Sequence, residues 1–205
     1  FLAADNYIIN ITDFNNCSTE DSIELTQPLM PLNSYYYLTQ PSCFGGSNGE
    51  INYHINGGTP PYTYAWNNNQ TVSNLVGLSA GTYVIDTYDD NNCTIKDTIL
   101  LNQPTEITLT ASVDSVTCFE DQNGAIQLSV SGGTPIYSYE WSNSTYVLSQ
   151  TTSSISNLQG DTYIVIVTDI NNCENSGSYF VYEPAELIGE LDIKQITCPG
   201  ANDGE

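Results

Sequence analysis

Apolar and polar residues alternate with a period of two along most of the chain, which is the pattern of half-buried β-strands. The alternation is clear in residues 49–56 and recurs in residues 124–131. The apolar positions of these stretches are Ile51, Tyr53, Ile55, Ile126, Leu128 and Val130. Gly, Pro and Asn cluster between such stretches and mark turns. Because no helical period occurs, the pattern predicts an all-β protein.

The alternating stretches belong to an internal repeat. An Asn-Asn-Cys block ends at Cys17, Cys93 and Cys173, a Cys…Asn-Gly block begins at Cys43, Cys118 and Cys198, and a Gly-Gly-Thr-Pro block begins at Gly57 and Gly132. The second repeat is five residues longer than the first. The extra residues lie between Trp141 and Leu158, compared with the stretch after Trp66. An insertion confined to one connection predicts a surface loop.

The blocks divide the chain into four predicted segments. These are the end of one repeat at 1–28, complete repeats at 29–104 and 105–184, and the start of another at 185–205. About seven short strands fit each complete repeat, which predicts tandem immunoglobulin-like β-sandwiches. Short Pro-containing joints at 103–105 and 183–185 predict an elongated, semi-rigid rod. We expect the parent protein to be longer.

Composition removes several classes of function. The 205 residues contain 2 Lys plus Arg against 24 Asp plus Glu, giving a net charge of −22. Such a chain cannot neutralise phosphates, which excludes nucleic-acid binding and a polybasic membrane anchor. No apolar run has membrane-spanning length, so we expect no membrane insertion. Residues 29–104 hold five acids and residues 105–184 hold nine, so acidity serves solvation rather than a repeated site.

Candidate catalytic chemistry is sparse. His54 is the one histidine in the sequence, and Ser129 occupies its place in the next repeat. It lies at a strand position that faces away from the predicted core. With a single candidate base and no zinc-binding spacing of Cys and His, the sequence predicts that the chain is not an enzyme.

Carboxylates recur at the turn before each Asn-Asn-Cys block, at Asp13, Asp89 and Asp169. A fixed place in a turn favours a capping role. The turn lacks the spacing of an EF-hand calcium loop and its bidentate Glu. We therefore predict no cofactor, with calcium at the joints as the alternative.

Two aromatic groups differ in their expected place. Tyr62, Tyr64 and Trp66 alternate on the predicted third strand, where Trp usually packs between the sheets. Tyr35, Tyr36 and Tyr37 are consecutive, so at least one ring faces outward in any strand. The nearest aligned stretch of the next repeat, 111–114, has no such group. Tyr35–Tyr37 is therefore a candidate contact surface, with packing at a joint as the alternative.

Four motifs in fixed order carry a family likeness: CFGGSNG at 43–49, GGTPPYTYAW at 57–66, LSAGTYV at 78–84 and DDNNC at 89–93. They closely resemble the SprB repeat, found in very large cell-surface proteins of Bacteroidota and named for a gliding-motility adhesin. The likeness covers essentially the whole chain. The second copy departs from it modestly, since residues 158–163 displace the Gly and Ile136 replaces the second Pro.

The resemblance implies a function. It implies export by the type 9 secretion system, display outside the outer membrane and, for the adhesin itself, movement along the cell during gliding. The expected partners are neighbouring repeats, surface polysaccharide or an abiotic substratum, and the gliding and secretion machinery through other regions. Alternatives are carbohydrate-binding repeats, or a spacer in another secreted surface protein, including the stalk of a secreted enzyme.

An exported chain with six cysteines predicts disulfide bonds. Pairing within repeats would join Cys43 to Cys93 and Cys118 to Cys173. The two cysteines of one repeat lie at opposite ends of a strand of about 26 Å, whereas a disulfide needs Cα atoms within about 7 Å. We therefore favour Cys43–Cys173 between repeats, with Cys118 bonded beyond this chain. Free buried thiols are the third option.

Surface proteins of Bacteroidota commonly carry O-glycans where Asp is followed by Ser or Thr and an apolar residue. The pattern occurs at Ser22, Thr98 and Ser115. Ser22 and Thr98 share one repeat position, five residues after a Cys. A glycan on an exposed strand would hinder edge-to-edge pairing, so we predict these three residues as glycosylation sites.

Overall fold

A computed structural model describes residues 1–193, 195 and 198–200, so residues 201–205 of the predicted fourth segment lie outside the described part. Every regular element in this part is a β-strand, which confirms the all-β prediction. Across the same residues, no helix has the length and hydropathy needed to cross a bilayer. The chain forms two compact units, Phe1–Gln103 and Pro104–Glu205, called the first unit and the second unit.

The strands of the two units follow in chain order. The first unit contains β1 (Asp5–Thr12), β2 (Ser18–Leu25), β3 (Asn33–Thr39), β4 (Gly49–Asn56), β5 (Thr63–Trp66), β6 (Asn74–Leu78), β7 (Gly81–Tyr88) and β8 (Thr94–Leu101). The second unit contains β9 (Thr108–Asp114), β10 (Gly124–Ser131), β11 (Ser138–Ser142), β12 (Ser154–Leu158), β13 (Asp161–Thr168) and β14 (Glu174–Val181).

Each unit contains a sandwich of two three-stranded antiparallel sheets. The strand orders are β3-β4-β6 and β5-β7-β8 in the first unit, and β9-β10-β12 and β11-β13-β14 in the second. Buried side chains from both sheets share one core in each unit. This confirms tandem immunoglobulin-like sandwiches. Each has six strands rather than the expected number of about seven.

One tryptophan lies at the centre of each core. Trp66 and Trp141 are buried at equivalent positions of β5 and β11, as predicted for the third strand of a sandwich. Their indole N–H groups donate to the carbonyls of Val72 and Thr152, at 2.8 and 2.9 Å. The polar group of each ring is therefore satisfied inside the core. Losing such a ring typically costs about 3–5 kcal/mol, so each indole is a major source of stability.

A polar cluster replaces part of the apolar core in the first unit. Ser34 Oγ and Tyr53 OH both donate to Asp97 Oδ2, at 2.6 and 2.5 Å. Burial, followed by the bond to Asp97, raises the pKa of Tyr53 to about 12. Thr87 is fully buried beside this cluster, where its side chain acts to lower the pKa of Tyr53. Its Oγ1 nevertheless forms no hydrogen bond of normal geometry within the described residues.

The second unit has apolar residues in the equivalent part of its core. The residues at the four equivalent positions are Leu109, Leu128, Val167 and Gly177. A Cβ on Gly177 would lie 2.7 Å from the Tyr179 hydroxyl, so the tyrosine ring occupies the place that Asp97 takes in the first unit. The two cores thus have the same strand arrangement but differ in the polarity of their side chains.

Two distant motifs meet at a buried carboxylate in each sandwich. Asp89 Oδ1 accepts the N–H groups of Asn91 and Cys93, at 3.0 and 2.8 Å, and Oδ2 accepts the N–H of Thr59 at 2.9 Å. The Asn91 side-chain amide also donates to Thr59 Oγ1. The Asp turn is therefore fastened to the Gly-Gly-Thr-Pro turn, and we call this arrangement the turn lock.

The second unit repeats the turn lock. Asp169 Oδ1 accepts from Asn171 N and Cys173 N at 2.8 and 3.0 Å, and Oδ2 accepts from Thr134 N at 2.8 Å. The capping role predicted from sequence is confirmed, and the lock explains why the two motifs recur together.

The two glycines of the Gly-Gly-Thr-Pro motif are required by backbone shape and by space. Gly57 and Gly58 have φ values of +70° and +62°, a region that favours glycine. A Cβ on Gly57 would overlap the Pro31 carbonyl, and one on Gly58 would lie 2.8 Å from Asp89 Oδ2. The two glycines thus allow the backbone to pack closely against the neighbouring chain and the turn lock.

The hairpin of β1 and β2 has the same register as the last hairpin of each sandwich. Its apolar residues are nevertheless open to solvent. Ile9 is 51% exposed, whereas its equivalents Ile85 and Val165 are 0% exposed. Within the described residues, the β1–β2 hairpin therefore combines regular backbone pairing with exposed apolar side chains.

Candidate functional site

An exposed group of rings lies on the outer face of the β3-β4-β6 sheet. It consists of Tyr35, Tyr37 and His54, and we call it the aromatic patch. The Tyr35 and His54 rings stack with centroids 4.9 Å apart and planes at 15°. Tyr37 meets each of them nearly edge-on at 6.0 Å. Because Tyr35 is 47% exposed and Tyr37 65% exposed, the rings form one accessible surface.

Strand geometry explains which rings share the face. Side chains two residues apart on a strand point the same way, so Tyr35 and Tyr37 lie on one face of β3 and Tyr36 lies on the other. Tyr35 pairs with His54 and Tyr36 pairs with Tyr53. Tyr36 is also exposed, because β3 is an edge strand. The register, rather than the run of tyrosines alone, creates the aromatic patch.

Amide side chains continue the same face across the sheet. Asn52 pairs with Tyr37 on one side and with Asn74 of β6 on the other. Aromatic rings beside amide groups can pack on the C–H face of a neutral sugar ring while hydrogen-bonding its hydroxyls. The face therefore has the chemistry to contact polysaccharide.

The aromatic patch does not repeat. At the equivalent positions of β9 and β10, the second unit has Thr110, Ser112 and Ser129. The structural equivalents of the three tyrosines are residues 110–112, which corrects the sequence alignment to 111–114. Contact chemistry thus differs between units while the scaffold is kept.

His54 takes part in ring packing. Its neighbours are the rings of Tyr35 and Tyr37. Among the described residues, no group of three or more His, Cys, Asp or Glu side chains is placed to hold a metal ion. The carboxylates of Asp89 and Asp169 face three backbone N–H donors each, and such donors occupy the lone pairs that a calcium ion would need.

The cysteines fall into two groups. Cys43 and Cys173 are each disulfide-bonded. Of the described cysteines, Cys17, Cys93, Cys118 and Cys198 are exposed and carry free thiols. Neither pairing within a repeat, Cys43–Cys93 or Cys118–Cys173, is therefore present.

Geometry within the first unit explains why Cys43 and Cys93 do not pair. Gly45 N–H, two residues after Cys43, donates to Gln103 Oε1 just beyond the end of β8. Cys93 lies just before the start of β8. A strand of this length separates the two sites by about 26 Å, far more than the roughly 7 Å that a disulfide spans.

All three predicted glycan acceptors lie at the surface. Ser22 is exposed on β2, Thr98 on the edge strand β8, and Ser115 just after β9. Exposure permits modification without disturbing either core, and glycosylation stays a prediction.

Comparison with solved structures gives partial similarity to several multidomain proteins. The three N-terminal domains of the bacteriophage RB49 highly immunogenic outer capsid protein match 75% of this chain, with 17% identity and a TM-score of 0.43. The N-terminal eight Ig domains of Down Syndrome Cell Adhesion Molecule match 82%, with 11% identity and a TM-score of 0.42. The I-band fragment I67–I69 of titin matches 78%, with 14% identity and a TM-score of 0.40. The chain spans 58%, 26% and 67% of these structures, respectively.

Sequence comparison gives a more specific result than the fold. Comparison with curated proteins gives no match. The SprB repeat family matches residues 37–71, within the first unit, and residues 107–146, within the second. Each match covers the Cys…Asn-Gly and Gly-Gly-Thr-Pro blocks of one sandwich. Two segments of the chain thus match the SprB repeat family, which confirms the resemblance predicted from the sequence.

Proposed function

We propose that this chain is a non-enzymatic repeat segment of a large cell-surface adhesin-like protein, displayed outside the outer membrane. The observation that carries the proposal is the pair of segments that match the SprB repeat family, in which the recurring residues stabilise the inside of each sandwich. The turn lock and the central tryptophan are the two examples, because their hydrogen bonds join parts of the same sandwich. A scaffold that repeats while its outer face varies suits a protein that presents many contact surfaces along one chain.

A finer proposal follows from the resemblance. The parent protein is exported by the type 9 secretion system and acts in gliding, with this segment among its contact-making repeats. Deleting the gene and tracking cells on glass tests the gliding role. Non-gliding mutant cells that keep normal growth would support it. Unchanged gliding would assign the segment to another surface protein, and protease shaving of intact cells would test its surface display independently.

For contact with a substratum, we propose the aromatic patch. Exposed aromatic rings gain free energy when a flat partner covers them, at about 25 cal/mol per Å² of apolar area. Many weak contacts of this kind add up when repeats are linked in one chain. The partner we propose is surface polysaccharide, with bare glass as the abiotic alternative.

The variant Tyr35→Thr/Tyr37→Ser/His54→Ser tests this surface. It gives the first unit the side chains found at the same places in the second unit, so the fold has a natural precedent. We expect the variant to lose most of the wild-type attachment to beads coated with neutral polysaccharide, measured by pull-down of purified chain.

A matched control replaces an exposed tyrosine elsewhere. Tyr182→Thr removes a 56% exposed ring from the second unit and is expected to leave attachment unchanged. Equal losses in both variants would show that general stickiness, rather than the aromatic patch, drives attachment.

The second candidate function is a plain spacer in another secreted surface protein. The observation that favours it is the absence of the aromatic patch from the second unit. Attachment of wild-type chain to neither polysaccharide nor glass would support the spacer.

We also propose glycans on Ser22, Thr98 and Ser115. Intact-mass measurement of native protein tests them, since a mass equal to that of the sequence would exclude modification.

A further inference from the structure

The five-residue insertion of the second unit forms one wall of a pocket. The first unit lacks this insertion. Its walls come from the inserted segment, from the turn between β12 and β13, and from the loop before β10. We call it the insertion pocket and define it by Gln122, Tyr146, Gln150, Asn157, Gln159 and Tyr163. Its volume of about 400 Å³ lies in the range of small-molecule sites.

The inserted segment is held in place by hydrogen bonds. Asn143 Oδ1 accepts the N–H groups of Thr145 and Tyr146, both at 3.0 Å. Leu148 N–H donates to the Trp141 carbonyl at 2.7 Å, and the Leu148 side chain packs on the core. The wall of the insertion pocket is therefore pre-organised, which lowers the entropy cost of binding.

A β-bulge places one amide in the pocket. Asn157 is the extra residue between the pairs Gly124–Leu158 and Ala125–Ser156, and its φ is +59°. The first unit has Gly77 at the same bulge, with φ +69°. Glycine adopts this conformation more easily than asparagine, so the asparagine side chain is present despite a backbone preference for glycine.

The lining is polar and uncharged. Four amide side chains and two tyrosines define the insertion pocket, and none of its lining residues is charged. Gln150 Nε2 donates to the Ser156 carbonyl at 3.2 Å, while Gln150 Oε1 is buried without a partner in the described part of the chain. A buried acceptor without a donor costs free energy. Because this oxygen is closed to solvent, a ligand hydroxyl recovers that cost only when the Gln150 amide turns toward the insertion pocket.

We propose that the insertion pocket binds a neutral monosaccharide residue. A sugar hydroxyl donates to Gln150 Oε1, the amides of Asn157 and Gln159 meet further hydroxyls, and the Tyr146 ring covers one sugar face. Anionic sugars are disfavoured because the pocket offers no cation and its repeat holds nine acids. This site goes beyond the proposed function, since it lies in the other unit and shares no residue with the aromatic patch.

Saturation-transfer NMR on the full chain tests the proposal. The probes are glucose, galactose, mannose and N-acetylglucosamine, with galacturonate as the anionic comparison. We expect at least one neutral sugar to bind in the millimolar range and galacturonate to bind more weakly. Binding of none of the neutral sugars, or equal binding of galacturonate, would overturn the proposal.

Two variants locate the bound sugar. Asn157→Gly copies the bulge of the first unit and keeps its backbone, and Gln150→Leu removes the buried acceptor. Each should weaken binding about two- to tenfold, the effect of one hydrogen bond. Wild-type affinity in both would place the sugar elsewhere and refute the site. The aromatic-patch variant should keep wild-type affinity, so failure here and failure of the proposed function are distinguishable.

Discussion

At the scale of single residues, two aspartates tie distant motifs together. The N–H of Thr59, followed by those of Cys93 and Asn91, outweighs burial and holds the pKa of Asp89 below its usual value. For Asp169, burial alone would raise the pKa, but the N–H donors of Thr134, Cys173 and Asn171 outweigh it and lower the pKa. Both carboxylates therefore stabilise the fold in their charged form.

The turn lock predicts acid-dependent stability. A carboxyl whose pKa is lower in the folded state contributes stability that is fully present above its unfolded pKa of about 3.9, and that is lost as pH falls through the folded value. We expect the midpoint of thermal unfolding to be level above about pH 5 and to fall steeply below about pH 4. Calorimetry across pH 2–6 measures this, and Asp89→Asn/Asp169→Asn should unfold several degrees lower at pH 7 with a flatter acid limb.

Asp13 supplies a matched control for this prediction. It accepts the N–H groups of Asn15 and Cys17 as the other two aspartates do in their turns, but it is exposed and belongs to the β1–β2 hairpin. Asp13→Asn should leave the unfolding midpoint and its pH dependence unchanged. An equal loss from Asp13→Asn would show that turn capping alone, rather than fastening to Thr59, accounts for the effect.

The buried Thr87 predicts a stabilising substitution. Its Oγ1 lacks a hydrogen bond of normal geometry, and the second unit has Val167 at the same place. Thr87→Val should raise the free energy of unfolding by about 1 kcal/mol, since it removes an unsatisfied buried hydroxyl at nearly constant shape. Urea denaturation measures the gain, and the reverse change Val167→Thr should give a loss. Destabilisation by Thr87→Val would mean that the hydroxyl is satisfied in solution.

At the scale of elements, three hairpins share one register but differ in burial. The β7–β8 and β13–β14 hairpins each contribute a face to a core, while the β1–β2 hairpin has exposed apolar residues on both strands. A two-stranded hairpin without further packing is at best marginally stable. Identical pairing therefore does not give these elements equal stability.

Hydrogen exchange should separate the hairpins. Amides of β1 and β2 are expected to exchange at least about a hundredfold faster than their equivalents in β7 and β8, which corresponds to about 2.8 kcal/mol of local opening free energy. Deuterium uptake followed by mass spectrometry measures this in one sample, with β13–β14 as the second reference. Equal protection would mean that something covers Ile9 in solution.

Sequence patterns specified the elements better than their mutual positions. Alternation located β4 and β10, and the repeated Gly-Gly motif located its turn, because both signals are local. The stacking of Tyr35 on His54 was missed, since the register of β3 against β4 depends on the loop from 40 to 48. The insertion pocket was also missed: the insertion predicted a loop, but only the bulge at Asn157 and the burial of Gln150 show what the loop encloses.

At the scale of the whole molecule, the cysteine pattern gives a further prediction. The sequence favours Cys43–Cys173 between repeats, and each of these residues is disulfide-bonded. Peptide mapping without reduction should therefore yield one linked peptide that contains both, and no Cys43–Cys93 peptide. Reduction should release them and lower thermal stability, whereas Cys93→Ser should leave the linked peptide intact. A linked Cys118–Cys173 peptide would refute the inter-repeat pairing.

The edge positions of the first and last strands of each sandwich have a mechanical consequence. In each unit these strands lie in different sheets, and in the described residues no backbone ladder joins them. In the second unit they are linked by contacts such as the bonds from Val116 N–H to the Tyr182 carbonyl and from the Asn175 amide to the Ile107 carbonyl. Tension applied to the ends of a unit is therefore resisted by packing between sheets rather than by shearing a ladder. A chain of such units would extend under load as cores separate one at a time, and would shorten again when the tension is released.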